Sequence, residues 1–138
     1  MIFICMVAAL FTLTTNISSA EKIFAGKKEL SRDHAREVVL VFLKSQGYKI
    51  WSPHFDLEDD VDTQDLPEFY MFHAYYNTAS RLDSIGSYAV NNRTADLWER
   101  VGCEEVKSKT LKQFQSNIRK RFGLSKIDAK SSSTQPCF

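Results

Sequence analysis

Apolar residues recur at three-and-four spacing in two separate stretches, and each stretch is bounded by residues that start and stop helices. Residues 31–46 form the clearer one, because Ser31 can cap its first turn and Gly47 can end it. In the second, Thr110 and Gln113 match a capping box, and Gly123 follows the last apolar residue. Both patterns predict amphipathic helices, with apolar faces made of Ala35, Val38, Val39, Phe42 and Leu43 in the first and of Leu111, Phe114, Ile118 and Phe122 in the second.

Three strands are predicted between these helices. Glu68 to Asn77 is dense in aromatic residues that suit a pleated surface, and both of its faces are apolar. Ile85 to Asn91 and Ala95 to Val101 predict a hairpin around a turn at residues 91–94. Residues 52–67 show no clear period and predict a loop. The order α-β-β-β-α predicts an α+β fold, in which an antiparallel sheet has its helices packed mainly on one face.

The first twenty residues are uncharged and mostly apolar, and they end in small polar residues. An apolar core of about ten residues is too short to span a bilayer but is typical of a signal peptide. Ser18 and Ala20 are small residues of the kind that signal peptidase accepts, so cleavage after Ala20 is predicted; a buried N-terminal helix is the alternative. We therefore expect a periplasmic or secreted protein with a signal peptide at 1–20, one α+β domain at 21–130 and a C-terminal tail at 131–138.

The overall charge of the chain argues against nucleic acid and anionic lipid as partners. The chain has 18 Lys and Arg residues against 17 Asp and Glu residues, which is a formal net charge of +1. This balance gives no global attraction to nucleic acid or to anionic lipid. No second apolar stretch approaches the length that spans a membrane. We therefore expect no nucleic-acid partner, and no membrane association after signal cleavage.

Cysteine usage predicts one disulfide. Cys5 leaves with the signal peptide, so the mature chain keeps only Cys103 and Cys137. An even pair in an exported protein is typical of a structural bridge, which here would tie the C-terminal tail to the segment before the second helix. No His with Asp or Asn is placed beside either thiol by the sequence pattern, so a catalytic cysteine is not predicted.

Charged residues are unevenly distributed, with the basic ones concentrated in the last third of the chain. The acidic ones alternate in one segment as the first ligands of an EF-hand do, but Val61 occupies the position of the required glycine and Pro67 that of the bidentate glutamate. The three histidines lack the close spacing of zinc ligands. The sequence therefore predicts no metal site and no cofactor for this chain. The carboxylates of the acidic segment are Asp56, Glu58, Asp59, Asp60, Asp62 and Asp65.

The residues from Gly86 to Trp98 read GSYAVNNRTADLW. They resemble the VNxxTGxVW hairpin of small exported bacterial α+β proteins, including PepSY-like modules and some immunity or inhibitor proteins. Asn91 and Thr94 suit the tight turn, and Ala95 stands where the motif has glycine. Cys103 and the following basic, glutamine-containing helix are also similar to type VI secretion immunity proteins. This resemblance implies an exported α+β domain that binds another protein.

The sequence contains no GxSxG elbow, P-loop, dinucleotide fingerprint or HExxH motif, so a non-enzymatic binding protein is the leading hypothesis. We predict an immunity protein or inhibitor that occludes a toxin or a cell-wall hydrolase, with a basic surface on that protein partner. Tryptophan and tyrosine commonly anchor such interfaces. The predicted binding residues are Trp51, Tyr75, Tyr76, Tyr88 and Trp98, with Asp59, Asp60 and Asp62 meeting the basic surface.

Two alternatives remain at the level of sequence. A cystatin-like or NTF2-like module would hold a small apolar molecule in a pocket lined by Phe69, Met71, Tyr88 and Trp98. A hydrolase would need two carboxylates that converge in space, and the sequence selects no pair.

Overall fold

The computed structural model describes residues 28–60, 66–124 and 136–137. The predicted signal peptide, Asp62 and most of the C-terminal tail lie outside the described residues.

Two helices of 14 residues form where apolar spacing predicts them, α1 (Arg32–Ser45) and α2 (Lys109–Phe122). Ser31 caps α1 as expected, because its side chain accepts a hydrogen bond from the backbone N–H of His34. The N-cap of α2 is Ser108 rather than Thr110, and the Ser108 hydroxyl accepts from the N–H of Leu111 at 3.1 Å. Gly123 ends α2 in the left-handed conformation that glycine adopts readily.

One antiparallel sheet contains five strands in the order β1-β2-β3-β4-β5. The predicted hairpin is confirmed, because Val90 pairs with Leu97 and Tyr88 pairs with Glu99. Its second arm is shorter than predicted. The strands are β1 (Phe55–Asp59), β2 (Phe69–Asn77), β3 (Leu82–Asn91), β4 (Leu97–Glu99) and β5 (Glu104–Glu105).

Strand β1 corrects the prediction of a loop over residues 52–67. Phe55 and Leu57 alternate with Asp56 and Glu58, so one side of the strand is apolar and the other is exposed and acidic. The period of two is present in the sequence, but it covers only five residues and is rich in carboxylates that strands usually disfavour. Pairing with β2 stabilises this edge strand in spite of its composition.

Both helices contribute to one hydrophobic core on the same face of the sheet, here called the inner face, and this confirms the predicted α+β arrangement. The opposite, outer face carries a smaller apolar cluster made of Phe69, Met71 and Ala89, with Leu66 and Trp98 packed against it. The inner-face core joins sheet residues to both helices and includes Leu57, Phe72, Tyr88, Val90 and Leu97 from the sheet, Val38, Val39 and Leu43 from α1, and Leu111 and Ile118 from α2.

The turn between β3 and β4 is buried and is fixed by side chains. The side-chain oxygen of Asn91 accepts hydrogen bonds from the backbone N–H groups of Arg93 and Thr94, which closes an Asx-type turn. Ala95 has a φ of 59°, in the left-handed region where the related motif carries glycine. This chain therefore fills a left-handed position of the turn with alanine.

Helix α2 satisfies the carbonyl groups of this turn. Gln115 donates from its side-chain nitrogen to the carbonyl oxygen of Ala95 at 2.9 Å, and Arg119 donates from Nε to the carbonyl of Thr94 at 2.6 Å. A second guanidinium nitrogen of Arg119 lies 2.5 Å from a carboxylate oxygen of Asp96. Thr94 and Ala95 are fully buried, so their carbonyl groups cannot form hydrogen bonds with water. The contacts from α2 therefore fix both the conformation of the turn and the position of the helix.

Cys103 and Cys137 lie at disulfide distance with Cα atoms 5.3 Å apart, which agrees with the bridge predicted from the cysteine count. The bridge spans 34 positions of sequence and holds the end of the chain next to β5. Pro136 is fully buried there, and its carbonyl accepts a hydrogen bond from Nε of Arg100 at 3.3 Å. The described part of the tail is thus packed against the domain.

Replacing Gln115 with alanine should lower the free energy of unfolding by about 1–2 kcal/mol, because the buried carbonyl of Ala95 then loses its donor. Gln113→Ala is the matched control, since Gln113 is exposed on the same helix and its loss should change stability by less than about 0.5 kcal/mol. Urea unfolding followed by circular dichroism measures both variants. Equal midpoints would show that the contact between α2 and the turn contributes nothing to stability.

Replacing Cys137 with serine should lower the free energy of unfolding by about 3 kcal/mol, because the unfolded chain regains the entropy of an open loop. A reducing agent should destabilise the wild-type protein to a similar extent and leave the variant unchanged. Thiol titration of the oxidised, denatured wild-type protein provides the direct check. Two free thiols there would contradict the bridge.

Candidate functional site

The acidic residues predicted to meet a basic partner already bind arginines of the same chain. Asp59, at the end of β1, lies 3.1 Å from a guanidinium nitrogen of Arg32 and 3.4 Å from one of Arg36, both on α1. Asp60 lies 2.6 Å from Arg100, whose side chain is only 3% exposed. Asp62 lies outside the described residues. Part of the predicted negative surface is therefore compensated internally, and its role in binding stays a prediction.

Side chains of a strand alternate between the two faces of the sheet, and two of the predicted tyrosines, Tyr75 and Tyr88, lie on opposite faces. Tyr88 faces the inner core with its ring edge-on to Phe42, and burial raises the pKa of Tyr88 to about 12. Tyr75 is buried on the outer face, where a hydrogen bond with Glu58, followed by desolvation and the charge of Asp56, raises the pKa of Tyr75 to about 12. Both hydroxyls remain protonated at neutral pH. In this conformation neither ring is available as an exposed anchor.

The pocket predicted for a small apolar ligand does not form from its four residues. Phe69, Met71 and Trp98 belong to the outer-face cluster, whereas Tyr88 belongs to the inner-face core. The sheet lies between them, because Phe72 rather than Met71 is the register partner of Tyr88. Trp98 is partly buried and closes one side of the outer cluster.

Trp51 is the predicted aromatic residue that the structure leaves most open, with 71% of its surface exposed. Its loop is fixed by backbone hydrogen bonds from Ser52 to Lys49 and from Phe55 to Ser52, each 3.0 Å long. Tyr76 holds the same loop from the sheet, since its hydroxyl accepts from the N–H of Lys49 at 2.8 Å. In this structure Tyr76 therefore stabilises the loop that carries Trp51.

A second loop adjoins the Trp51 loop. The carbonyl of His54 accepts from the N–H of Asn77 at 2.7 Å, and Asn77 pairs with Leu82 across the β2–β3 turn. Leu82 is 59% exposed. Residues 49–54 and 77–82 together form one end of the sheet with two exposed large apolar side chains, and we call this surface the tryptophan end.

An open cleft of about 910 Å³ runs beside α2 and was not anticipated from the sequence. One wall is α2, including Lys112, Ser116 and Lys120, and the other includes Glu105 and Lys107. We call it the α2 cleft. The sequence feature that could have indicated this cleft is the composition of α2, which has five basic residues and no acidic one. Only the fold shows that β5 and the segment after it face this helix.

The described residues were compared with the requirements of a metal site and of a membrane-spanning helix. Within residues 28–60, 66–124 and 136–137, no group of three or more His, Cys, Asp or Glu side chains is placed to hold a metal ion. In the same part of the chain, no helix has the length and apolar character needed to cross a bilayer.

Comparison with known proteins finds a structural similarity to a chain of a secretion-system complex. No family model matches the sequence, and no curated protein matches it, so the PepSY-like resemblance stays a prediction. The fold is similar to a chain in the structure of a type VI secretion system effector-immunity complex from Pseudomonas protegens. The two chains share 28% sequence identity at a TM-score of 0.65, over 76% of this chain and 87% of the other.

Replacing Asp60 with asparagine should lower the free energy of unfolding by about 1–3 kcal/mol, because the buried Arg100 guanidinium would lose a charged partner. Glu37→Gln removes one carboxylate from an exposed position of α1 and should change stability by less than about 0.5 kcal/mol. Denaturant unfolding at neutral pH compares the two variants. Unfolding of the Asp60 variant at the wild-type denaturant concentration would show that the ion pair with Arg100 contributes nothing to stability.

Proposed function

We propose that this chain is a type VI secretion immunity protein, which binds an effector protein and blocks it. The observation that carries the proposal is the likeness to a chain of an effector-immunity complex, at 28% identity over most of both chains. The independent resemblance of the β3–β4 hairpin and of the basic second helix to immunity proteins supports the same conclusion.

The immunity role is favoured over the effector role by the state of the polar side chains. Asp59, Asp60 and Asp96 are each engaged by arginines of the same chain, and the sequence has no recognised catalytic motif. An effector that acts as an enzyme needs reactive groups that converge on a substrate. An inhibitor needs only a complementary surface with a few anchors.

The tryptophan end supports recognition of a protein. Trp51 is a large apolar side chain on a loop whose backbone is already ordered, so little conformational entropy is lost when a partner covers it. Aromatic anchors of this kind contribute a large share of binding energy when they enter a pocket. We propose that Trp51 enters a recess of the effector and that the surrounding loops exclude solvent. Asp59 and Asp60 then act mainly through their ion pairs with arginine.

We also propose that the protein is exported, which fits both the disulfide and the expected class of partner. A signal peptide at residues 1–20 would deliver the chain to the periplasm, where oxidation allows Cys103 and Cys137 to bridge. An immunity protein in that compartment would meet effectors that act on the cell wall, which fits the prediction of a toxin or a cell-wall hydrolase as the partner.

Deleting the gene in the source bacterium should make the mutant lose in co-culture with its parent, because the parent delivers the cognate effector to an unprotected neighbour. Supplying the wild-type gene should restore survival. Equal fitness of mutant and parent under conditions in which the secretion system is active would contradict the proposed function. Parent insertion mutants that no longer kill the deletion strain identify the effector.

Replacing Trp51 with alanine should weaken binding to that effector by about thirtyfold, mainly through faster dissociation, because truncation of a central anchor costs on the order of 2 kcal/mol. Val101→Ala is the matched control, since Val101 is 77% exposed outside the tryptophan end. Surface plasmon resonance gives both rates. Unchanged dissociation of the Trp51 variant would place the interface elsewhere on the protein.

A further inference from the structure

We infer that the α2 cleft binds an acidic segment of the partner protein. The inference rests on the proposed function for the identity of that partner as an effector. It adds a second contact surface besides the tryptophan end and assigns the charge that the partner presents to it.

Electrostatics of the cleft favour an anionic segment. Helix α2 carries five basic residues and no acidic one. Arg119 is bound to Asp96 and Lys107 to Glu105, whereas Lys112 and Lys120 are exposed and form no ion pair with another described residue. Two lysines on the same wall therefore present positive charge that the described part of the chain does not compensate.

The spacing of these lysines suits an extended chain. Lys112 and Lys120 are eight positions apart on one helix, which is about 12 Å along its axis at 1.5 Å per residue. An extended segment advances roughly 3.3 Å per residue, so carboxylates about four residues apart lie on one side of it at a matching distance. Ser116 lies between the two lysines on the same wall and offers a hydroxyl to the bound backbone.

Lining groups distinguish a protein segment from a nucleic acid. Asp96 and Glu105 also line the cleft, so its positive charge is confined to two separated lysines and does not form the continuous basic track that a phosphate backbone requires. The described lining contains no aromatic side chain on which bases could stack. The net charge of +1 for the chain also gives no general attraction to nucleic acid.

Preorganisation strengthens the inference. Gln115 and Arg119 line the cleft and, at the same time, bind the carbonyls of the β3–β4 turn. The helix wall is therefore held in position before a partner arrives, which lowers the entropic cost of binding.

The first experiment uses a fluorescent oligoglutamate peptide and the full mature chain at low salt. Lys112→Glu with Lys120→Glu should weaken peptide binding by about tenfold or more, because two attractive contacts become repulsive. Lys44→Glu with Lys109→Glu changes the net charge equally at exposed positions outside both the cleft and the tryptophan end, and should weaken binding far less. A variant with Gln at positions 112 and 120 tests charge loss without charge reversal, and circular dichroism checks the folding of each protein.

Equal weakening by both charge reversals would overturn the cleft as the binding site, since binding would then follow net charge alone. Tighter binding of a single-stranded oligonucleotide than of oligoglutamate, with the same dependence on Lys112 and Lys120, would overturn the assignment to a protein segment.

The second experiment separates this inference from the proposed function. In the deletion strain, the wild-type gene should restore survival, and the Lys112→Glu, Lys120→Glu gene should restore it poorly, unlike the Lys44→Glu, Lys109→Glu gene. Full rescue by all three genes would leave the immunity function standing and overturn the cleft as its docking surface. If deletion has no effect on fitness, the proposed function fails, and the peptide experiment still decides whether the cleft binds acidic segments.

Discussion

The contact between α2 and the β3–β4 turn is the constraint on which the rest of the structure depends. The turn places backbone carbonyls where water does not reach, and a buried carbonyl without a donor is costly. Gln115 and Arg119 supply these donors from one helix face. The same face then packs Leu111 and Ile118 into the inner core, so polar satisfaction and hydrophobic burial select the same orientation of α2.

Much of the fold could be predicted from sequence because local patterns and tertiary packing agree. The helices follow apolar spacing, and the hairpin follows turn chemistry that Asn91 fulfils directly. Strand β1 was missed because its acidic residues obscured a short alternation that only pairing with β2 makes stable. The capping-box match of Thr110 with Gln113 predicts the start of α2 at Thr110, whereas Ser108 has the extended backbone of an N-cap and accepts the capping hydrogen bond from Leu111.

The candidate site was less predictable, since it depends on which residues meet across the fold. Aromatic character identified Trp51, but the face taken by Tyr88 depends on strand register, which a sequence does not give directly. The acidic cluster was visible, while its arginine partners lie on α1 and beyond β4, far away in sequence. The α2 cleft likewise joins two segments whose proximity follows only from the folded chain.

Ala95 shows how side-chain burial can offset backbone strain at a turn. An L-residue in the left-handed region stores roughly 1–2 kcal/mol relative to a relaxed backbone, and glycine would release much of this strain. The Ala95 methyl group is nevertheless fully buried, and a methyl-sized group removed from water returns about 0.8 kcal/mol. The two effects are opposite in sign, so burial of the methyl group offsets part of the strain that the backbone stores here. The turn therefore tolerates alanine at a left-handed position because its side chain also belongs to the inner-face core.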